Sequence, residues 1–134
     1  MTIVVDASVG VKWVLPEPGS EGAAAIRTTD DDLIAPSLAY AEIGSAIWRA
    51  VVRGDVPATE ARRDLKVAVS HYRRIIPLVE LADRALELAT RLRHPIYDCF
   101  YLALAERERC PLITADGRLI AAAKAMKGVE LRLL

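Results

Sequence analysis

Short apolar runs alternate with longer amphipathic stretches all along this chain, and few folds accommodate that rhythm. The runs are Ile3–Val5, Leu33–Ala35, Ile75–Val79, Leu112–Thr114 and Val129–Leu133. They lack the polar alternation of a sheet with one wet face, so they read as strands covered on both sides. Pro77 inside the third run argues for an edge position, because proline cannot donate to the ladder. Helices are expected from Ser20 to about Thr28, from a Ser37 cap to Val52 with Gly54 closing it, and from Ala58 to Arg73. Others are expected from Leu81 to Leu92, from Pro95 to Arg109, and briefly after the Asp116-Gly117 turn. No element is expected between Ala7 and Gly19. Parallel strands need crossovers, and right-handed ones lay helices on both faces. The fold class is therefore α/β: a three-layer α/β/α sandwich with a short central parallel sheet. At 134 residues it makes a single domain, 1–134.

In such sheets ligands bind beyond the carboxyl ends of the strands, and acids collect at that edge. Asp6 follows the first strand and Asp116 the fourth, although each also suits a turn or a helix cap. Glu42 shares a narrow helical stripe with Leu38, Ser45 and Arg49, where it could equally pair with Arg49 or face water. Asp98 shares a helix face with Tyr101, Leu102 and Ala105. A lone ionised carboxylate on an apolar face is costly unless paired or metal-bound, whereas its service to the helix dipole is worth only ~0.3–1 kcal/mol. Taken together, four carboxylates on one edge would repel one another unless cations neutralised them. Hard oxygen ligands select Mg²⁺ or Mn²⁺ over Zn²⁺. The chemistry that needs such a cluster is phosphodiester hydrolysis by a metal-activated water.

The formal net charge is zero, but arginine supplies 14 of the 18 basic residues, and arginine suits forked phosphate contacts. With the four acids set apart, the rest of the chain carries +4, enough for a basic rim around an acidic pit. Rim candidates for RNA binding are Lys12, Arg49, Arg53, Arg73 and Arg74; an ordinary mixed-charge surface would account for the same composition. Hydrophobic residues make up 53% and the mean hydropathy is +0.23, which suggests a partner or a dimer. There is no export signal and no apolar run near the ~20 residues of a membrane span. Cys99 and Cys110 read as reduced thiols, so a cytoplasmic location without membrane contact is expected.

Four segments carry a family resemblance: Val5-Asp6-Ala7-Ser8, the early-helix Glu42 after Pro36-Ser37, Tyr97-Asp98-Cys99-Phe100-Tyr101-Leu102-Ala103-Leu104-Ala105, and Thr114-Ala115-Asp116. In this order they resemble the PIN-domain family, and within it the VapC-type toxins of VapBC modules. The resemblance implies a Mg²⁺- or Mn²⁺-dependent endoribonuclease, homodimeric, neutralised by a small antitoxin through which alone it would meet DNA. It also implies catalytic acids Asp6, Glu42, Asp98 and Asp116, with metal on Asp6, Asp98 and Asp116, and supporting hydroxyls on Ser8 and Thr114. Arg118 departs from the pattern, standing where many relatives carry another acid, which bears on a second metal position.

Other readings fare less well. A haloacid-dehalogenase-type phosphatase needs a second aspartate where Ser8 stands, and a response-regulator receiver needs an acidic pair and a late lysine that are missing. Cys99, Cys110, His71 and His94 lack the close ligand pair of a zinc site, and Ser8 has no nucleophile elbow. The remaining alternative is a non-catalytic PIN-fold module that holds RNA or a partner. Finally, the Leu38–Val52 helix is apolar around most of its circumference. Ile43, Ile47 and Ala50 suit the core, while Tyr40, Gly44 and Trp48 form a second face. Either the Ala58–Arg73 helix or an apolar antitoxin segment would cover it.

Overall fold

The computed structural model describes residues 1–134. Its strands are β1 (Thr2–Val5), β2 (Asp32–Pro36), β3 (Arg74–Ile76), β4 (Leu112–Thr114) and β5 (Leu131–Leu133). They form one sheet in the order β3-β2-β1-β4-β5, with every pairing parallel. The helices are α1 (Ala7–Gly10), α2 (Ser20–Arg27), α3 (Leu38–Arg53), α4 (Ala58–Ser70), α5 (Ala82–Leu92), α6 (Ile96–Glu108) and α7 (Gly117–Ala122).

The strand order explains the layers. From β1 to β3 the chain moves one way across the sheet, and from β3 to β5 it returns. Right-handed crossovers therefore lay α1–α4 on one face and α5–α7 on the other. Contacts agree: α3 packs on α1 and α4, while α6 lies between α5 and strands β1, β2 and β4. A helix held on two sides must be apolar all round, and α6 buries seven consecutive residues from Cys99 to Ala105. The three-layer parallel sandwich is as expected. Chains leaving the neighbouring strands β1 and β4 turn to opposite faces, which opens a crevice at their carboxyl ends.

Local departures from expectation have physical reasons. Helix α1 and the 3₁₀ turn Val11–Trp13 occupy a stretch where none was expected. Val9 and Val11 are poor helix formers, and tertiary contacts hold this segment instead. Trp13 Nε1 donates to the Ala23 carbonyl at 2.9 Å, and the Tyr72 hydroxyl donates to the Val5 carbonyl at 3.0 Å. Ser37 does not cap α3: it is already helical, at φ −61 and ψ −14, with no side-chain capping bond. Helix α4 ends at Ser70 rather than Arg73, because Arg73 N turns to the Leu33 carbonyl at 2.7 Å to begin the pairing of β3. β3 is indeed an edge strand, but Pro77 lies just beyond it, at the start of the 3₁₀ turn Leu78–Glu80. No helix is long and apolar enough to cross a membrane.

Candidate active site

The crevice between β1 and β4 begins with a buried charge. Asp6, directly after β1, is 4% exposed and is the one charged side chain in the buried set. Its Oδ2 accepts hydrogen bonds from Ser8 Oγ at 2.6 Å and Thr114 Oγ1 at 2.7 Å. Each hydroxyl in turn accepts a backbone N–H, Ser8 from Ala115 and Thr114 from Asp116, both at 3.0 Å. Those amides leave each hydroxyl proton free for the carboxylate. Both hydroxyls that the resemblance implies as supporting groups bond to Asp6.

The other acids reach the same place from three helices. Glu42 comes from α3, Asp98 from the first turn of α6, and Asp116 from the cap of α7, where its Oδ1 accepts the Arg118 amide at 2.9 Å. All four line one cavity of about 380 Å³, together with Ser8, Arg49 and Arg118. Glu42 Oε1 accepts from the Tyr101 hydroxyl at 2.8 Å, and Asp98 Oδ2 lies 2.6 Å from His94 Nε2. In each acid, then, the hydrogen bonds engage one oxygen and leave its twin for another ligand.

Burial and mutual repulsion show in the acidities. Desolvation pushes Glu42 up to about 7, against the Tyr101 bond and with help from the Asp6 and Asp98 charges. Asp6 is also raised, first by burial and then by Asp98, against its bonds from Ser8 and Thr114. A divalent cation would relieve both effects. No three His, Cys, Asp or Glu side chains converge closely enough to cage an ion by themselves. Mg²⁺ does not require a cage: it keeps several waters and takes one or two carboxylates. The donor set therefore fits a hydrated Mg²⁺ or Mn²⁺ ion.

The basic candidates divide. Arg49 borders the cavity and donates to Ser45 Oγ at 2.9 Å. Arg53 is outside it, paired with Asp55 at 2.9 Å. Lys12 is only 13% exposed and faces Glu17 at 3.7 Å, so it forms no open rim. Arg73 and Arg74 stand at the amino end of β3, the opposite edge of a parallel sheet, paired with Asp32 at 3.3 Å and Glu108 at 3.4 Å. They cannot serve the acid cavity.

On the second face of α3, Tyr40 and Trp48 are 48% and 63% exposed. Gly44 is half-buried, and a Cβ there would sit 3.9 Å from Leu65 of α4. Helix α4 thus covers part of this face and leaves a groove of about 240 Å³ lined by Gly44, Ile47, Trp48, Val51 and Leu65. Ile43, Ile47 and Ala50 are in the core as expected.

The PIN domain family model matches residues 3–125. The chain belongs to the PIN-domain family. Within it, this PIN domain is similar to Ribonuclease VapC9 of Mycobacterium tuberculosis, with 36% identity over 121 residues and 87% of each chain covered. It is also 38% identical over 117 residues to Ribonuclease VapC12 of the same species, covering 87% of this chain and 88% of that one. Among solved structures, VapBC2 from Rickettsia felis bound to a promoter DNA fragment superposes with a TM-score of 0.73, covering 100% of this chain and 99% of that chain. At 16% identity this last likeness speaks for the fold alone. Sequence reasoning missed three groups at the PIN-domain site: His94, Tyr101 in its role toward Glu42, and Arg118 as a cavity residue. His94 precedes Asp98 by four residues, so helical spacing was the signal that could have found it.

Proposed function

We propose that this PIN domain is a Mg²⁺-dependent endoribonuclease, with Mn²⁺ able to substitute, and the toxin of a type II toxin–antitoxin pair. The observation that carries the proposal is the buried Asp6, clamped through one oxygen and opening onto a cavity shared with Glu42, Asp98 and Asp116. The names of the VapC relatives, which call them ribonucleases, support RNA as the substrate.

Asp6 and Asp98 would hold the ion directly, with Asp116 beside it or bridged through water. When bound, a divalent ion would lower the pKa of a coordinated water and offset charge on the phosphate. Glu42 would accept a proton from the attacking water; the ion beside it would bring its pKa down from the metal-free value of about 7, leaving the carboxylate ionised near neutral pH. The water oxygen bonds to phosphorus as the bond from phosphorus to the leaving ribose oxygen breaks. Arg49 and Arg118 would meet the phosphate from the cavity rim, since both residues border the cavity. An apolar antitoxin segment would dock in the groove beside Trp48. A homodimer and a cytoplasmic site of action belong to the same proposal, and DNA would be met only through the antitoxin.

The test is cleavage of a mixed RNA substrate by the purified chain with Mg²⁺, with Mn²⁺, and with chelator. Cleavage with either ion, abolished by chelator and by Asp98→Asn in a folded protein, is expected. Full activity in Asp98→Asn, or cleavage indifferent to chelator, would overturn the proposal. RNA binding without any cleavage would favour a non-catalytic module.

A further inference from the structure

The connection between α5 and α6 spends three residues, Arg93-His94-Pro95, and does so in an unfavourable conformation. Arg93 caps α5 in the left-handed region at φ 53, where a side chain is disfavoured. With Arg93 so placed, His94 N donates to the Ala89 carbonyl at 3.2 Å, the closing bond of a Schellman turn. Pro95 then stands just before α6. The turn delivers His94 one helical turn ahead of Asp98, with its Nε2 at 2.6 Å from Asp98 Oδ2. Both side chains are largely covered, 13% and 22% exposed, and no other group hydrogen-bonds to Asp98.

We propose that His94 is the positioning residue of Asp98: its Nε2–H holds Oδ2, so that Oδ1 is presented to the cavity and to the divalent ion there. This rests on the metal-dependent reading above. An unheld aspartate turns freely about its Cα–Cβ bond and must give up that freedom on binding an ion, whereas a carboxylate fixed by a donor has already done so. Groups that orient metal ligands typically contribute about 10–100-fold in metal affinity. His94 never touches substrate in this scheme, so it acts through the ion and leaves the chemistry at saturating metal nearly intact.

The test is Mn²⁺ binding to the full chain by isothermal titration calorimetry, without RNA. Variants are His94→Leu, which removes the donor; His94→Phe, which keeps a ring of similar size; and His94→Gln, whose amide N–H reaches the position of Nε2. Leu and Phe should weaken Mn²⁺ binding by about 10-fold or more, and Gln should recover most of it. In the cleavage assay, Leu should raise the Mg²⁺ concentration for half-maximal rate while leaving the rate at saturating Mg²⁺ within a few-fold of wild type. If one variant fails to fold, the other donor-less variant is compared with Gln. Donor-less variants that bind Mn²⁺ like wild type, or a Gln variant as weak as they are, would overturn this inference alone. Wild-type protein that takes up no Mn²⁺ would overturn the metal reading and this inference with it.

Discussion

The Tyr101 hydroxyl donates to Glu42 Oε1 at 2.8 Å, and the two residues come from helices on opposite faces of the sheet. Tyr101 on α6 is fully buried, so its hydroxyl needs that acceptor as much as the carboxylate needs a donor. Tyr101→Phe leaves the ring and removes the bond. Because this bond opposes the rise in the Glu42 pKa, its loss should move the acid limb of the cleavage rate upward in pH. Stability should fall by roughly 1 kcal/mol, read from denaturant unfolding; an unmoved pH profile would sever Glu42 from proton transfer.

Metal-free protein should lose stability as pH rises from about 4.5 to about 7. Glu42 binds its proton more tightly when folded, with a value of about 7 against an ordinary 4.5, so in that window the unfolded chain holds fewer protons. Asp6 is shifted in the same direction. The Glu42 contribution is less than about 3 kcal/mol, because solvent reaches the carboxylate and screens it. Melting temperatures across this range should show the slope, Glu42→Gln should flatten it, and Mg²⁺ should raise the melting temperature most at the alkaline end.

Arg93 and Arg109 end α5 and α6 with φ 53, the two non-glycine residues with positive φ in the chain. Replacing Arg109 by Gly removes the clash of Cβ with the following carbonyl, partly offset by the entropy of a freer unfolded chain. A gain of roughly 0.5–1 kcal/mol is expected, visible as a melting temperature a few degrees higher. Unchanged or lowered stability would show that the Arg109 side chain repays its conformation through contacts of its own.

Gly10→Ala should destabilise the fold. A Cβ there would meet the Tyr72 hydroxyl at 2.8 Å and Ile43 at 3.0 Å. The hydroxyl cannot withdraw without giving up its bond to the Val5 carbonyl, one residue before Asp6. A loss of about 1–3 kcal/mol is expected from overpacking, together with weaker Mg²⁺ activation because the end of β1 shifts. Wild-type stability in the variant would show that α1 can give way.

Trp48 is 63% exposed, so Trp48→Ala should change the melting temperature of the free chain very little. With the partner antitoxin present, the same substitution should weaken binding by about 2 kcal/mol or more, as for an aromatic anchor at the centre of an interface. Calorimetry with both variants settles it: equal affinities would place the antitoxin elsewhere.

Much of the site is written in strand ends and helix phase. Asp6 and Asp116 could be placed because a residue just after a parallel strand must lie on the carboxyl edge, and Asp98 because an apolar helix face is costly for a lone charge; Glu42, which could equally have paired with Arg49, stood out only beside the other three acids. Helix α1 was not legible, since four residues containing Ser8, Val9 and Gly10 have little local preference and depend on Trp13 and Tyr72 for support. The Arg73–Arg74 pair was misassigned for a different reason. Charge composition has no direction, whereas residues at the start of a parallel strand belong to the far edge. Tyr101 and Glu42 are 59 positions apart, a pairing that only the stacking of layers creates.

Surface connections between helices usually absorb insertions and deletions with little consequence. The Arg93-His94-Pro95 turn has no such slack. One residue added after His94 would leave both helices able to form, yet it would lengthen the spacing of His94 from Asp98 and carry the ring away from the carboxylate. A change in length, harmless to the core, would be felt at the crevice. In the three-residue link between α5 and α6, chain length itself is thus under chemical constraint.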